Sequence, residues 1–242
     1  MFHRASAFII DYLLVLLVIQ IIATLAFSVT AGRVQSMGPL QIWSCRWPPE
    51  LPVSFPYGTI DVSAAEREVQ QSVCTHGLPS MPHAHVLQVT ASQKTGRWTI
   101  NQTDRIALDT QGRAVWILWL GAFAIPLLWI YRTLFESRTG QTLGKHWLGL
   151  RVSSRQHQLP SWEQSAVRNF YLLLPLLLAD MVMEGPMLLL PNLLLLTPAF
   201  GWLMFATGVI CTIWYAPAAV STARNIEPLH DRIAGTYVDR II

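Results

Sequence analysis

Residues 5–29 read ASAFIIDYLLVLLVIQIIATLAFSV, and this apolar run indicates the class of fold. A helix crosses the hydrocarbon core of a bilayer with about 20 apolar residues, at a rise of about 1.5 Å per residue. A cleaved signal peptide is the alternative, but its apolar core has only about 7–15 residues. The run here is much longer and contains Asp11. We therefore expect the first helix to remain as a membrane span.

The composition of the whole chain is also that of a membrane protein. Hydrophobic residues make up 52% of the 242 residues and charged residues 13%, with a mean hydropathy of +0.37. Soluble domains usually carry about 25% charged residues. The net charge of +3 does not indicate a nucleic-acid partner, because the basic residues flank apolar segments and form no dense patch. The expected surroundings are the lipid bilayer.

Three further apolar segments follow, at residues 114–131, 170–183 and 199–220. Asp180, Glu184 and the Gly185-Pro186 pair mark the expected break between the last two segments. Residues 187–198 are too short to cross a bilayer alone. We predict an all-α polytopic membrane helical bundle of about four transmembrane helices, with three or five as alternatives.

The basic residues predict the orientation of this bundle. The 132–168 loop contains six of them: Arg132, Arg138, Lys145, Arg151, Arg155 and Arg168. Short loops rich in Lys and Arg face the cytoplasm, so this loop, the amino terminus and the tail 221–242 are expected there. The expected location is a bacterial inner membrane. Residues 1–30 then form the first span, and residues 113–242 form the rest of the membrane domain.

The segment 31–112 would face outward as a small α+β periplasmic module. Ser63 and Glu66 have the spacing of a helix capping box. The expected helix has apolar residues at helical spacing, namely Val62, Ala65, Val69 and Val73. A short β-meander is expected after it, because apolar and polar residues alternate around Leu87, Val89, Ala91, Trp98, Ile100, Ile106 and Leu108.

The cysteines predict a disulfide in this module. Cys45 and Cys74 both lie in the outward segment, where disulfides persist in the bacterial periplasm. Cys211 lies in the last apolar segment and is expected to be a small core residue. A metal site is the alternative for Cys74, together with His76, His83 and His85. Prolines surround these histidines and no further ligand pair stands out, so we expect neither a metal nor a cofactor.

Three stretches carry charged residues within, between or after the apolar segments: RASAFIID at residues 4–11, ESRTGQTLGK at 136–145 continuing to GLRV at 149–152, and LHDRIAGTYV at 229–238. Their order and spacing resemble the RDD family, which takes its name from one arginine and two aspartates. The resemblance assigns these to Arg4, Asp11 and Asp231, and it places another family arginine at Arg168. It covers residues 1–30 and 114–240, so that the outward module looks like an insertion.

The charged residues of these stretches have more than one reading. Asp11 lies too deep to reach the headgroups and must face the bundle interior or water. It is either a structural ion-pair partner of Arg4, Lys145 or Arg168, or a carboxylate that binds a proton or cation, or a wet position without a partner. Asp231 either docks the tail on the basic loop or forms a cation path with Asp11 and Glu136. Gly140 and Gly144 are expected to let a cytoplasmic helix approach the bundle.

The resemblance to the RDD family implies transport of ions or small solutes, with proton-coupled cation exchange as one form. Asp11, Glu136 and Asp231 would bind the ion or proton, with Arg4, Lys145 and Arg168 as their charge partners. The alternative is a non-transporting accessory or assembly subunit that binds an envelope protein through its periplasmic module. A homo-oligomer fits the carrier. No Ser/His/Asp arrangement or catalytic carboxylate pair stands out in the sequence, so we expect no enzyme.

Overall fold

A computed structural model describes residues 2–36, 42–46, 67–78, 81–95, 98–189, 198–224 and 226–240. The helices are α1 (Phe2–Val29), α2 (Ala124–Thr139), α3 (Leu143–Trp147), α4 (Trp162–Leu189), α5 (Pro198–Ala223) and α6 (Leu229–Ala234). The strands are β1 (Val34–Gln35), β2 (Ile42–Arg46), β3 (Arg67–Leu78), β4 (Met81–Thr95), β5 (Trp98–Ala107), β6 (Leu118–Trp119), β7 (Leu150–Ser154) and β8 (Thr236–Arg240). The chain divides into two compact units, a first unit of residues 1–17 and 122–242 and a second unit of residues 18–121.

Two of the described helices are long and apolar enough to cross a membrane. They are His3–Val29 within α1 and Trp162–Val182 within α4. A shorter apolar segment, Trp202–Pro217, lies in α5 and leaves large apolar side chains such as Trp202 and Ile213 exposed. Exposed apolar side chains of this size are typical of a surface that faces lipid. The first, third and last predicted spans therefore coincide with helices, while the total of four spans stays a prediction.

The second predicted span, at 114–131, was placed too early in the chain. Residues 118–119 are extended and pair in parallel with residues 34–35, and a 3₁₀ turn at 120–123 precedes α2. Apolar composition alone did not reveal that the backbone at 118–119 bonds to another strand. The helix also continues eight residues past Tyr131, to Thr139. Polar residues extend it there because their side chains find charged partners inside the first unit.

The break predicted at Gly185-Pro186 was also wrong, because α4 continues through this pair to Leu189. A proline removes a single backbone donor, and a glycine lowers helix propensity by only about 1 kcal/mol. In apolar surroundings a continuing helix satisfies the other backbone groups, which outweighs these costs. Residues 190–197 of the predicted 187–198 segment lie outside the described residues.

The packing of α5 on α4 compensates for a proline inside α4. Pro175 has no N–H, so the carbonyl of Tyr171 four residues earlier lacks its usual helical donor. The indole Nε1 of Trp214 donates to that carbonyl at 3.1 Å, and the indole ring stacks on the phenol ring of Tyr171. The hydroxyl of Tyr215 donates to the next carbonyl, that of Leu172, at 2.8 Å. These bonds fix the register of α5 against α4.

The second unit contains a four-stranded antiparallel sheet in the order β2-β3-β4-β5. Its described core consists of Leu87, Val89 and Leu108, with Val73 and Ile106 packed against it. The meander predicted for residues 87–108 is confirmed as β4 and β5. Cys45 and Cys74 face each other in the β2–β3 register and form a disulfide, as predicted.

The helix predicted in this module was wrong in the part that the structure describes. Residues 67–78 form β3, which pairs along its length with β4. Ser63 and Glu66, the predicted cap, lie outside the described residues. A spacing of four residues, such as that of Val69 and Val73, falls on one face of a strand as well as of a helix. Pairing with β4 decides in favour of a strand. The periodicity of so few apolar residues could not distinguish a strand from a helix.

Candidate functional site

Six ionisable residues are buried together in the first unit, and none exposes more than 4% of its surface. They form a buried-charge cluster of three acids and three bases, drawn from α1, α2, α3, α4 and α6: Asp11, Arg132, Glu136, Lys145, Arg168 and Asp231. Burying an isolated charge costs many kcal/mol, so such groups persist only when they are paired and hydrogen-bonded. With one charge on each residue, the cluster is neutral as a whole.

Asp11 of α1 accepts hydrogen bonds from four groups. Its Oδ2 accepts from Arg132 Nη1 at 3.1 Å and from the Thr142 hydroxyl at 2.7 Å. Its Oδ1 accepts from the Gly144 N–H at 2.9 Å and from the Tyr131 hydroxyl at 3.2 Å. Both carboxylate oxygens are thus occupied by protein donors.

The ion-pair partner of Asp11 is Arg132, rather than Arg4, Lys145 or Arg168. Arg132 also donates to Glu136 at 3.4 Å and to Asn169 at 3.0 Å. This role was not predicted from the sequence, because the second helix was expected to end at residue 131, which made Arg132 a cation of the loop. The i, i+4 spacing of Arg132 and Glu136 was the available signal, since such pairs share a helix face.

Glu136 of α2 contacts all three basic residues of the cluster. Its Oε1 accepts from the Lys145 ammonium and from Arg132. Its Oε2 accepts from Arg168 Nη1 at 2.7 Å and from Asn169 Nδ2 at 3.0 Å. Glu136 is therefore the carboxylate that holds α2, α3 and α4 together.

Asp231 of α6 connects the carboxyl tail to this cluster. It forms an ion pair with Arg168 and a longer one with Arg4, at 3.7 Å. Arg4 also donates to the backbone carbonyl of Val238 in β8, at 2.9 Å. Burial alone would raise the pKa of Asp231, but Arg168 outweighs it and the pKa lies below its usual value. The ion pair between Asp231 and Arg168 agrees with the predicted docking of the tail on the basic loop.

A small antiparallel sheet completes this docking. Strand β7 of the basic loop pairs with β8 of the tail, and Val152 at the centre of β7 is fully buried.

His230, beside Asp231, is largely buried, and burial lowers its pKa to about 4. The histidine is therefore neutral at physiological pH, when Asp231 is charged.

Helix α3 lies directly on α1 because Gly144 has no side chain. A Cβ at this position would come within 2.2 Å of the Ala7 carbonyl oxygen and 2.9 Å of Asp11 Oδ1. Thr142 is the N-cap of α3, because its hydroxyl oxygen accepts a hydrogen bond from the Lys145 N–H. This close approach is the one expected of Gly144, and it brings Lys145 into the cluster.

Lys145 differs from the two buried arginines in its partners. Among the described residues its ammonium pairs with Glu136 alone, whereas Arg132 and Arg168 each pair with two carboxylates. Burial and the nearby Arg168 lower the pKa of Lys145 to about 7, although Glu136 opposes the shift. Lys145 is thus the base of the cluster that can lose a proton near neutral pH.

The second unit contains the residues of the alternative metal site. Cys74 is bonded to Cys45, so its sulfur is not available as a thiolate ligand. His83 is fully buried in β4, and burial lowers its pKa. The expectation that this module holds no metal stays a prediction.

Apolar helices of spanning length and a neutral, buried ion-pair cluster define a helical membrane protein. The chain belongs to the RDD family, whose family model matches residues 1–235. Searches of curated proteins and of solved structures gave no match. All three stretches that carry the family resemblance contribute side chains to the cluster, through Asp11, Lys145 and Asp231.

Proposed function

We propose that this RDD-family protein is a multi-pass inner-membrane carrier of ions or small solutes, and that it exchanges a cation for a proton. The observation that supports this best is the buried-charge cluster. Ionisable groups inside a membrane domain usually belong to an ion or proton pathway. In the proposal Asp11, Glu136 and Asp231 provide the carboxylates, and Arg4 and Arg168 tune their ionisation. The chain performs no catalytic step.

The contacts within the first unit support an orientation with both termini in the cytoplasm. Helices α4 and α5 lie between the basic loop and the tail, and the Arg168–Asp231 ion pair joins the two. The Arg4–Val238 bond brings the start of α1 to the same end. Because this end carries the six basic residues of the 132–168 loop, we place it on the cytoplasmic side.

The cluster constrains how a cation could enter. Each carboxylate is already paired with a cation of the protein itself, so a transported cation must displace one of them. A cation that simply added to the cluster would leave one uncompensated buried charge, which is costly. Exchange against a proton avoids this cost, and a neutral cluster therefore favours exchange over uniport.

The test is cation-driven proton movement in proteoliposomes containing the purified protein. We expect Asp11→Asn and Glu136→Gln to abolish it, because each removes a buried carboxylate of the pathway. The matched control is Glu163→Gln, which changes an exposed glutamate in the first turn of α4 and should transport normally. Thermal unfolding and elution volume must show that each variant is folded. Unchanged flux in folded Asp11→Asn and Glu136→Gln would contradict the proposal.

A non-transporting accessory subunit is the second candidate, supported by the sheet of the second unit. Within the described residues this sheet ends at β2 and β5. Edge strands present unpaired N–H and C=O groups that another chain can extend. Purification in mild detergent followed by mass spectrometry separates the candidates. A stoichiometric envelope partner would favour the accessory role, and a homo-oligomer without other proteins would favour the carrier.

A further inference from the structure

Helix α3 has its polar face inside the bundle and its apolar face outside. Gly144 and Lys145 are buried at the cluster, whereas Leu143 and Trp147 are exposed, and Trp147 exposes 70% of its surface. The two apolar residues are four positions apart and therefore lie on one side of the helix. A helix on the surface of a water-soluble domain has the opposite arrangement. Contact with water therefore does not account for the outer face of α3.

Helix α6 has the same arrangement. Asp231 and Ala234 are buried, whereas Leu229 and Ile233, again four positions apart, are 55% and 46% exposed. Arg232 lies beside Ile233 and is also exposed. Two short helices from different parts of the chain thus supply a charge to the same cluster and direct apolar side chains away from it.

The contacts of α3 place it beside a membrane span. Gly144 lies against Ala7 and donates to Asp11, which are four and eight residues inside the apolar span His3–Val29. At a rise of about 1.5 Å per residue, these positions are about 6 and 12 Å from the start of the span. Interfacial helices insert their apolar face about 5–10 Å into the boundary between headgroups and acyl chains. The outer face of α3 therefore lies at the depth of this boundary.

The contacts of α6 place it at a similar depth. Asp231 pairs with Arg168, which is six residues inside the apolar span Trp162–Val182. This is about 9 Å from the start of that span. The apolar outer face of α6 therefore also lies where the acyl chains of a leaflet begin.

The charges around these two faces indicate which lipids they meet. On the described parts of the basic loop and the tail, six arginines and three acids are exposed. Arg138 at the end of α2 and Arg232 of α6 form no ion pair with a described acid, whereas Arg155 pairs with Glu227 at 3.6 Å. Basic residues at a membrane surface attract anionic lipids, and a guanidinium matches the geometry of a phosphate.

We propose that the outer faces of α3 and α6 form a binding surface for anionic phospholipid in the leaflet on the side of the basic loop. The acyl chains lie on the apolar residues of the two helices, and the lipid phosphates bind Arg138 and Arg232. The lipid thus covers the side of each helix opposite to the one that supplies Lys145 or Asp231 to the cluster. This inference rests on the membrane class of the protein and does not depend on transport.

The first test asks whether the two faces meet lipid. Full-length protein is placed in nanodiscs of phosphatidylcholine and phosphatidylglycerol, with a nitroxide label on Trp147→Cys or on Ile233→Cys. Both variants also carry Cys211→Ser, so that the label finds a single free thiol, because Cys45 and Cys74 are bonded to each other. The collision rates of the label with oxygen and with a water-soluble nickel chelate are then measured by electron paramagnetic resonance.

Two further labelled positions calibrate this measurement. Ile9→Cys, on the exposed side of α1, is the reference for lipid, and Gln156→Cys, in the exposed turn after β7, is the reference for water. Oxygen concentrates among acyl chains, and the nickel chelate stays in water. We expect the labels on α3 and α6 to lose nickel collisions relative to Gln156→Cys and to keep the high oxygen collisions of Ile9→Cys.

Two results would overturn the lipid surface. Nickel collisions as frequent as those of Gln156→Cys would show that the two faces meet water. Low collision rates with both reagents would show that another protein chain, either a second copy or a different partner, covers them.

The second test asks whether the lipid is anionic. Spin-labelled phosphatidylglycerol and phosphatidylcholine are compared by the fraction of each that the protein immobilises. We expect phosphatidylglycerol to associate at least about twofold more strongly, and the double variant Arg138→Gln/Arg232→Gln to reduce this preference towards one. Arg155→Gln is the matched control and should keep the native preference, because Arg155 already has an acidic partner. Equal association of the two lipids with the native protein, or an unchanged preference in the folded double variant, would overturn the proposal.

Discussion

At the scale of single residues, the cluster explains how a membrane domain keeps six charges out of water. Each carboxylate receives at least one charged donor, and Asp11 and Glu136 receive four hydrogen bonds each. Buried ion pairs add little net stability, but removing one partner leaves an uncompensated charge. The residues of the cluster should therefore depend on one another.

Arg132→Met tests this dependence. It leaves Asp11 without a charged partner and should lower the free energy of unfolding by about 3–5 kcal/mol. Arg138→Met is the matched control, because Arg138 is an exposed arginine of the same helix and should change stability by about 0.5 kcal/mol or less. Thermal or denaturant unfolding in detergent measures both.

The double variant Arg132→Met/Asp11→Asn provides the second arm of this test. It removes the charge that the single variant leaves stranded, so part of the lost stability should return. Equal stability of Arg132→Met and Arg138→Met would show that Asp11 does not need its buried partner.

His230 should make the protein sensitive to acid within a defined range. Its pKa is about 4 in the folded protein and about 6.5 when unfolded. Between these values the unfolded chain binds more protons, so stability falls as the pH drops from about 6.5 to about 4. The loss amounts to at most about 3 kcal/mol. His230→Gln should flatten the stability profile in this range.

The control for this pH effect is His146→Gln, which replaces an exposed histidine of α3. It should retain the slope of the native profile. Asp231 titrates below this range and therefore does not confuse the comparison. If His230→Gln kept the same slope as the native protein, the burial of His230 would not be the cause.

At the scale of the elements, the contact of α3 with α1 brings Lys145 and Asp11 into one site. Gly144→Ala would place a methyl group within 2.2 Å of the Ala7 carbonyl oxygen, which is backbone and cannot rotate away. Overpacking of this kind costs about 1–3 kcal/mol. We also expect the N–H bond from residue 144 to Asp11 to lengthen, which amide hydrogen exchange in α3 would detect.

Gly208→Ala is the matched control for this substitution. Gly208 is also helical, and a Cβ there meets no atom of the described residues within 4 Å. Alanine at that position should be neutral or stabilise α5 by up to about 1 kcal/mol, because it has the higher helix propensity. A tolerated Gly144→Ala would mean that α3 can move away from α1.

At the scale of the whole molecule, the two compact units should respond separately to loss of the disulfide. Cys45→Ser/Cys74→Ser opens a link between residues 29 positions apart and should cost the second unit roughly 3–4 kcal/mol. Hydrogen exchange should rise in β3 and β4 while α2 and α3 stay protected. Cys211→Ser, in α5, serves as the control and should leave the sheet unchanged. Equal loss of protection in both units would contradict their independence.

The sequence by itself determined the membrane class, the apolar helical segments at residues 5–29, 170–183 and 199–220, the meander, the disulfide pair and the family. These features depend on local signals, because a long apolar run, an alternating strand and a motif can each be read within one segment. The resemblance to the family placed Asp11, Glu136, Lys145 and Asp231 among the candidate residues, because each lies in one of the three stretches that carry it.

Only the tertiary structure decided which charges meet. The partner of Asp11 lies 121 positions away in α2, and the partner of Asp231 lies 63 positions away in α4. The start of α2 at Ala124 likewise follows the pairing of residues 118–119 with the distant residues 34–35, and the strand at residues 67–78 depends on its pairing with β4. Pairing energies of this kind come from contacts between segments and outweigh local propensity. A single sequence records the residues that take part in such contacts, and the folded chain selects the partners.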